Sequence, residues 1–332
     1  AVVEEYAQRE RSGDHPLMRS FSGLGYVVFK RTYARPVEGE NRTEEWHETV
    51  ERVVNGAQAI GAGLTPDEEV RLFDHIWNMR AAPAGRMLWQ LGTDNVQRLG
   101  GDSLNNCWHV TLRSPEDFAF LFNELMLGGG VGFTVTEESV AELPQVRFAE
   151  VKREDGFDVD YVVPDNREGW AELVRRVLEA SFEGRPFTYS TDAIRPAGAR
   201  ISTFGGVASG PGVLNDGIRT IQQIMQARDG QKLRPVDVLD IANIIGSIVV
   251  SGNVRRSAQI AIGTPNSEFL DAKRWDKHPI PSWRAMSNNS VVVDDPRQLP
   301  PEFWEGYEGN GEPSGMINLE GLRRWGRVGE QN

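Results

Sequence analysis

The chain has 332 residues, 39% of them hydrophobic and 25% charged, which is enough for a substantial core and for two domains. A net charge of −12 argues against a nucleic-acid backbone as its main partner, although nucleotides still bind such chains through local glycine turns and helix ends. One cysteine, Cys107, excludes an intrachain disulfide scaffold and fits a reducing compartment. The N-terminal AVVEEYAQRERSGDHP is charged and lacks the apolar segment of a secretory leader, and IANIIGSIVVSG (241–252) is too short to span a bilayer. The expected location is therefore cytoplasmic, with neither membrane nor nucleic acid as a partner.

Residues 1–42 show no strong periodicity. TEEWHETVERVVNGAQAIG (43–61) predicts a helix with Thr43 as a possible N-cap, and TPDEEVRLFDHIWNMRAA (65–82) opens with Thr-Pro followed by acids, a helix start. Residues 83–106 look loop-rich. SPEDFAFLFNELML (114–127) places Ser at the cap and Pro at the first helical position, and GGGVGFTV then turns into a short strand. Helices follow at 168–184, 213–230 and 235–252, with short strands at 186–194, 257–263, 289–295 and 315–319. Helices alternating with short apolar strands predict a mainly parallel sheet, an α/β core behind a helical N-terminal region. The acidic segment 150–169 is expected to be an exposed connection or a hairpin.

Three glycine clusters stand out: LGGGVGF (127–133), STFGGVASGPGVL (202–214) and SGNVRRSA (251–258). Each allows either close backbone approach to an anion or a tight connection between packed elements. None has the Gly-Lys-Ser/Thr of a P-loop, and GGGVGF follows a helix and enters a strand, the reverse of a dinucleotide fingerprint. Arg255 and Arg256 follow a helix end, where cations are favoured; the alternative is a contact with a nucleotide or carboxylate. His15, His47, His75, His109 and His278 are scattered, so no metal ligands are assigned, and the absence of Gly-x-Ser-x-Gly argues against a serine hydrolase. Taken alone, Cys107 reads either as a buried hydrophobe or as half of a redox pair.

Nine ordered blocks change that balance: GYVVFKRTYAR (25–35), PAGRMLWQLGTD (83–94), GDSLNNCW (101–108), FLFNELMLGGGVGF (120–133), PDNREGW (164–170), IRPAGARISTFGGVASGP (194–211), SGNVRRSAQIAIG (251–263), SNNSVVVD (287–294) and GEPSGMINLEGLRRWGR (311–327). Together they resemble the large catalytic chain of ribonucleotide reductases, and in particular the adenosylcobalamin-dependent class II triphosphate reductases. The resemblance implies an α/β fold, with a mainly helical region (1–82) followed by the first half of a ten-stranded α/β barrel (83–332). It implies that Cys107 is one of two thiols that reduce the ribose, its sulfur facing the 2' side. Asn106, Gly129 and Gly130 would then adjoin the substrate. Phe204, Gly205, Gly206, Val207, Ala208, Ser209 and Gly210 would form the loop through which a bound deoxynucleoside triphosphate selects the base to be reduced. The implied partners are a ribonucleoside triphosphate, a dNTP effector, a thioredoxin-like dithiol and adenosylcobalamin, whose contacts fall mostly outside this sequence.

The second redox cysteine and the radical-bearing cysteine of the family would lie beyond VGEQN. The chain is accordingly expected to be inactive alone and to need a C-terminal half, through a split gene, an intein junction or as a fragment. Stretches near 113–116 and 150–163 are short for the monomeric enzymes, which leaves dimerisation open. The rival readings are a non-catalytic nucleotide-binding half-reductase and, third, a relative of the glycyl-radical enzymes.

Overall fold

The computed structural model describes residues 2–19, 23–200, 207–251, 258–309, 311–313 and 315–327. The chain divides into two compact units, Ala1–Asn106 and Cys107–Asn332. The boundary expected after residue 82 falls inside the first unit, whose helices continue through Gly85–Gln90 and Asp94–Leu99. The stretch 83–106 is thus largely helical rather than loop.

The first unit is built on helices Trp46–Ala59 and Pro66–Trp77. Trp46, Val50, Val53 and Val54 recur at helical spacing and are buried with Phe73, Ile76 and Trp77. Thr65 caps the second helix as expected, accepting from the Glu68 backbone. The first helix starts later than expected, with Glu45 at the cap. Thr43 is instead bridged to Pro36, and Glu44 turns inward. Its carboxylate takes the Arg52 guanidinium at 2.6 and 2.9 Å and the Thr49 hydroxyl at 2.7 Å. Arg52 also donates to the carbonyls of Leu88 and Leu91. The N-terminal 42 residues, without visible period, contain helices Val2–Arg11, Pro16–Arg19 and Leu24–Thr32. Only Tyr6 and Ala7 of the first are buried, too narrow a stripe to read as a period. The helix is held by tertiary contacts: Tyr6 against Phe73 and Trp77, and Glu10 accepting from the Trp77 indole at 2.7 Å.

The second unit contains a five-stranded, wholly parallel sheet of β1 (Cys107–Thr111), β2 (Gly130–Thr134), β6 (Ala258–Gly263), β7 (Ser287–Val293) and β8 (Gly315–Asn318), in the order 1-2-6-7-8. This is the parallel half that the resemblance implies. β1 escapes the sequence reading because CWHVT has only five residues, and its exposed positions carry Cys and His. Helix Pro115–Met126 links β1 to β2, and Ser114 and Asp117 form its capping box. Helix Pro235–Ser251, almost wholly buried, covers the same face of the sheet and packs on Pro115–Met126 and Gly212–Ala227. Its one buried amide, Asn243, donates to Ser287 and Gln259 at 3.0 and 3.3 Å, tying the helix to β7 and β6.

Between β2 and β6 the chain forms a small second sheet, β3 (Val151–Arg153), β4 (Tyr161–Val162) and β5 (Phe187–Ser190), also parallel. The segment 150–169 is therefore not a hairpin. β5 comes between its two strands and pairs with both. The exposed Lys152 and Arg153 hide β3 from a hydrophobic pattern. Among the described residues no helix is long and apolar enough to cross a membrane.

Candidate active site

Side chains alternate across a strand, and parallel register puts Cα partners on the same face. Val131, Phe133, Ala261 and Val291 therefore face the helices and are fully buried. The side chains of the other face are exposed or half-buried. Cys107 stands on it, an exposed free thiol at the start of β1, with Gly130 opposite on β2 and Ala258 beyond on β6. The next row is His109, Gly132, Ile260 and Asn288, and the third is Thr111, Thr134, Ile262 and Ser290. The buried-hydrophobe reading of Cys107 is excluded by this exposure.

The structure thus brings Cys107 and Gly130 side by side, and Asn106, exposed, precedes the thiol in sequence. Gly129 serves a different need. It is buried, and a Cβ there would lie 2.9 Å from Trp108 Cδ1 and 3.0 Å from the Glu124 carbonyl oxygen. Trp108 in turn packs edge-on to Phe120 at 5.9 Å. Gly129→Ala is expected to cost about 1–3 kcal/mol by overpacking this turn, which a denaturation midpoint would read.

Of the predicted loop, Phe204, Gly205 and Gly206 lie outside the described residues, as do Arg255 and Arg256. Val207, Ala208, Ser209 and Gly210 form the returning arm of a hairpin. Arg200 bridges Val207, the Ala208 amide donates to the Ala199 carbonyl at 2.7 Å, and the Gly198 amide donates to the Ala208 carbonyl at 2.8 Å. Gly210 has φ +74°, and a Cβ there would meet the Ala197 backbone at 2.8 Å, so glycine is required. Arg195 braces the base of the hairpin, paired with Asp165 at 2.6 Å and donating to the Arg200 carbonyl. No described hydrogen bond joins this loop to the Cys107 row.

Sequence reasoning missed His109. Its ring reaches Thr134 Oγ1 from Nε2 at 3.1 Å, and desolvation lowers its pKa. The signal was its spacing of two from Cys107, legible only once β1 is a strand. Among the described residues no group of His, Cys, Asp and Glu could hold a metal ion.

Two family models match: the ribonucleotide reductase alpha domain over residues 3–93, and the insertion domain of B12-dependent ribonucleotide reductase over 137–225, the stretch that holds the small sheet. These matches place the chain in the ribonucleotide reductase family. More particularly, it is similar to adenosylcobalamin-dependent ribonucleoside-triphosphate reductases. It is 34% identical to that of Lactobacillus gasseri (92% of this chain, 50% of the relative), 36% to that of Lacticaseibacillus paracasei (93% and 50%) and 35% to that of Lactobacillus leichmannii (99% and 52%). A crystal structure of a B12-dependent (class II) ribonucleotide reductase superposes with a TM-score of 0.77 at 33% identity, covering 89% of this chain and 49% of that one. The chain spans about half the length of the curated relatives it matches.

Proposed function

We propose that this chain supplies the N-terminal half of a ribonucleotide reductase that converts ribonucleoside triphosphates to 2'-deoxyribonucleotides in the cytoplasm. The observation that carries the reading is Cys107, an exposed thiol beside Gly130 on the open face of the parallel sheet, in a chain homologous to such reductases. The overall step replaces the C2'–OH by C2'–H. The hydroxyl leaves as water, and two thiols become one disulfide, supplying the two electrons. Cys107 is one of these thiols, and its partner belongs to a C-terminal half. Asn106 offers hydrogen bonds to the substrate, and Gly130 keeps the space beside the sulfur clear. A thioredoxin-like dithiol returns the disulfide to two thiols by exchange.

Adenosylcobalamin, when bound, supplies the radical that starts the reaction. Its contacts are assigned mostly to the part of the enzyme outside this chain, which spans about half the length of its relatives. A dNTP effector is read through the hairpin that ends in Val207, Ala208, Ser209 and Gly210. Supporting this, the hairpin is braced at its base by Arg195 and Asp165 and runs directly into helix Gly212–Ala227. Shortening the 205–210 loop is expected to scramble the effector-dependent choice of base, measured as the ratio of the four products with each dNTP. An unchanged ratio would refute the loop assignment.

A further inference from the structure

We propose that His109 is a positioning residue for the nucleoside part of the substrate, the floor on which it rests one row from Cys107. The inference rests on the proposed function and adds a residue to the same site. It starts from register. His109 follows Cys107 by two residues, so its side chain leaves the same face of β1 about 7 Å further along the strand. Opposite it on β2 stands Gly132. A Cβ at that position would lie 3.2 Å from His109 Cδ2, so the imidazole occupies the space the glycine leaves. From there Nε2 reaches Thr134 Oγ1 at 3.1 Å, which fixes the ring across the second strand. Across the sheet the row continues with Ile260 and Asn288, both exposed.

The chemistry of this row selects its ligand. Desolvation lowers the pKa of the ring, which favours its neutral form. Imidazole, hydroxyl, amide and an aliphatic side chain, with no cation among them, do not suit a triphosphate. They suit an uncharged body with hydrogen-bonding edges, such as a ribose or base. With Nε2 engaged by Thr134, Nδ1 remains to meet that edge, since no other partner for the ring is found among the described residues.

The test uses the reductase completed by its C-terminal half, with the 332-residue chain labelled with 13C at histidine Cε1 and the His109 signal assigned with His109→Gln. Titration with cytidine or adenosine is expected to move the His109 signal saturably, and titration with tripolyphosphate is expected to leave it in place. Thr134→Val should weaken the nucleoside response about three- to tenfold, the worth of one neutral hydrogen bond. A His109 signal that ignores nucleoside, while nucleoside shields Cys107 from alkylation, overturns the inference and leaves the proposed function standing. Equal movement with tripolyphosphate overturns it as well. If neither His109 nor Cys107 responds, the proposed function falls and takes the inference with it.

Discussion

Cys107→Ser is expected to abolish multiple turnover with dithiol reductants in the reductase completed by its C-terminal half, while cobalamin cleavage persists. The loss is electronic. A hydroxyl cannot give up an electron pair by forming a disulfide, so the ribose has no second reducing equivalent. It is not structural, because Cys107 is exposed and its backbone pairing with Gly130 does not involve the side chain. Stability should therefore change by no more than about 0.5 kcal/mol, the usual range for a surface substitution. Matched thermal melts alongside turnover assays separate the two effects. Normal turnover in the variant would refute the redox assignment.

The largest effect on stability is expected at Arg52, in the helical unit. Arg52→Met leaves the Glu44 carboxylate, only 8% exposed, without its cation, and strips two donors from the carbonyls of Leu88 and Leu91. Breaking one partner of a buried pair costs about 3–5 kcal/mol. Removing both, as in Glu44→Gln with Arg52→Met, should cost less than the sum of the singles, because no unpaired charge remains. Burial alone would push the Glu44 carboxyl up. The Arg52 guanidinium and the donors from Arg35 and Thr49 outweigh it and hold the group below its ordinary value. An unfolded chain therefore binds this proton at a higher pH than the folded one. The stabilisation is fully present above the ordinary carboxylate range and is lost as pH falls through the lowered value. Urea midpoints measured down from neutral pH should show this decline in the native chain and a flatter profile in Arg52→Met. Equal slopes would contradict the pairing.

The parallel sheet was legible where a strand is long enough to show its period or is bounded by glycine, as in β2, β6 and β7. The strand that matters most, β1, was not. CWHVT is an edge strand with a polar outer face, so pattern alone could not separate it from loop, and His109 disappeared with it. Helix Val2–Arg11 was hidden for a related reason. It buries two residues and owes its place to Phe73, Trp77 and His47, far along the chain. The pairing of β3 and β4 around β5 depends on a strand that comes after both, which no local reading of 150–169 contains. Gly129 was expected to adjoin the substrate; in the structure it is buried, and the neighbour that requires glycine there is Trp108. The role proposed for Cys107 comes from the order of the nine blocks rather than from any property of the thiol's own segment.

The central claim is that Cys107 gives up electrons to the ribose. Its most direct test is a single-turnover reaction of the completed enzyme without external reductant, quenched by alkylation and mapped by mass spectrometry. The account predicts that Cys107 passes from an alkylatable thiol into a disulfide, one for each deoxyribonucleotide formed. Deoxyribonucleotide formation with Cys107 still fully alkylated would contradict it.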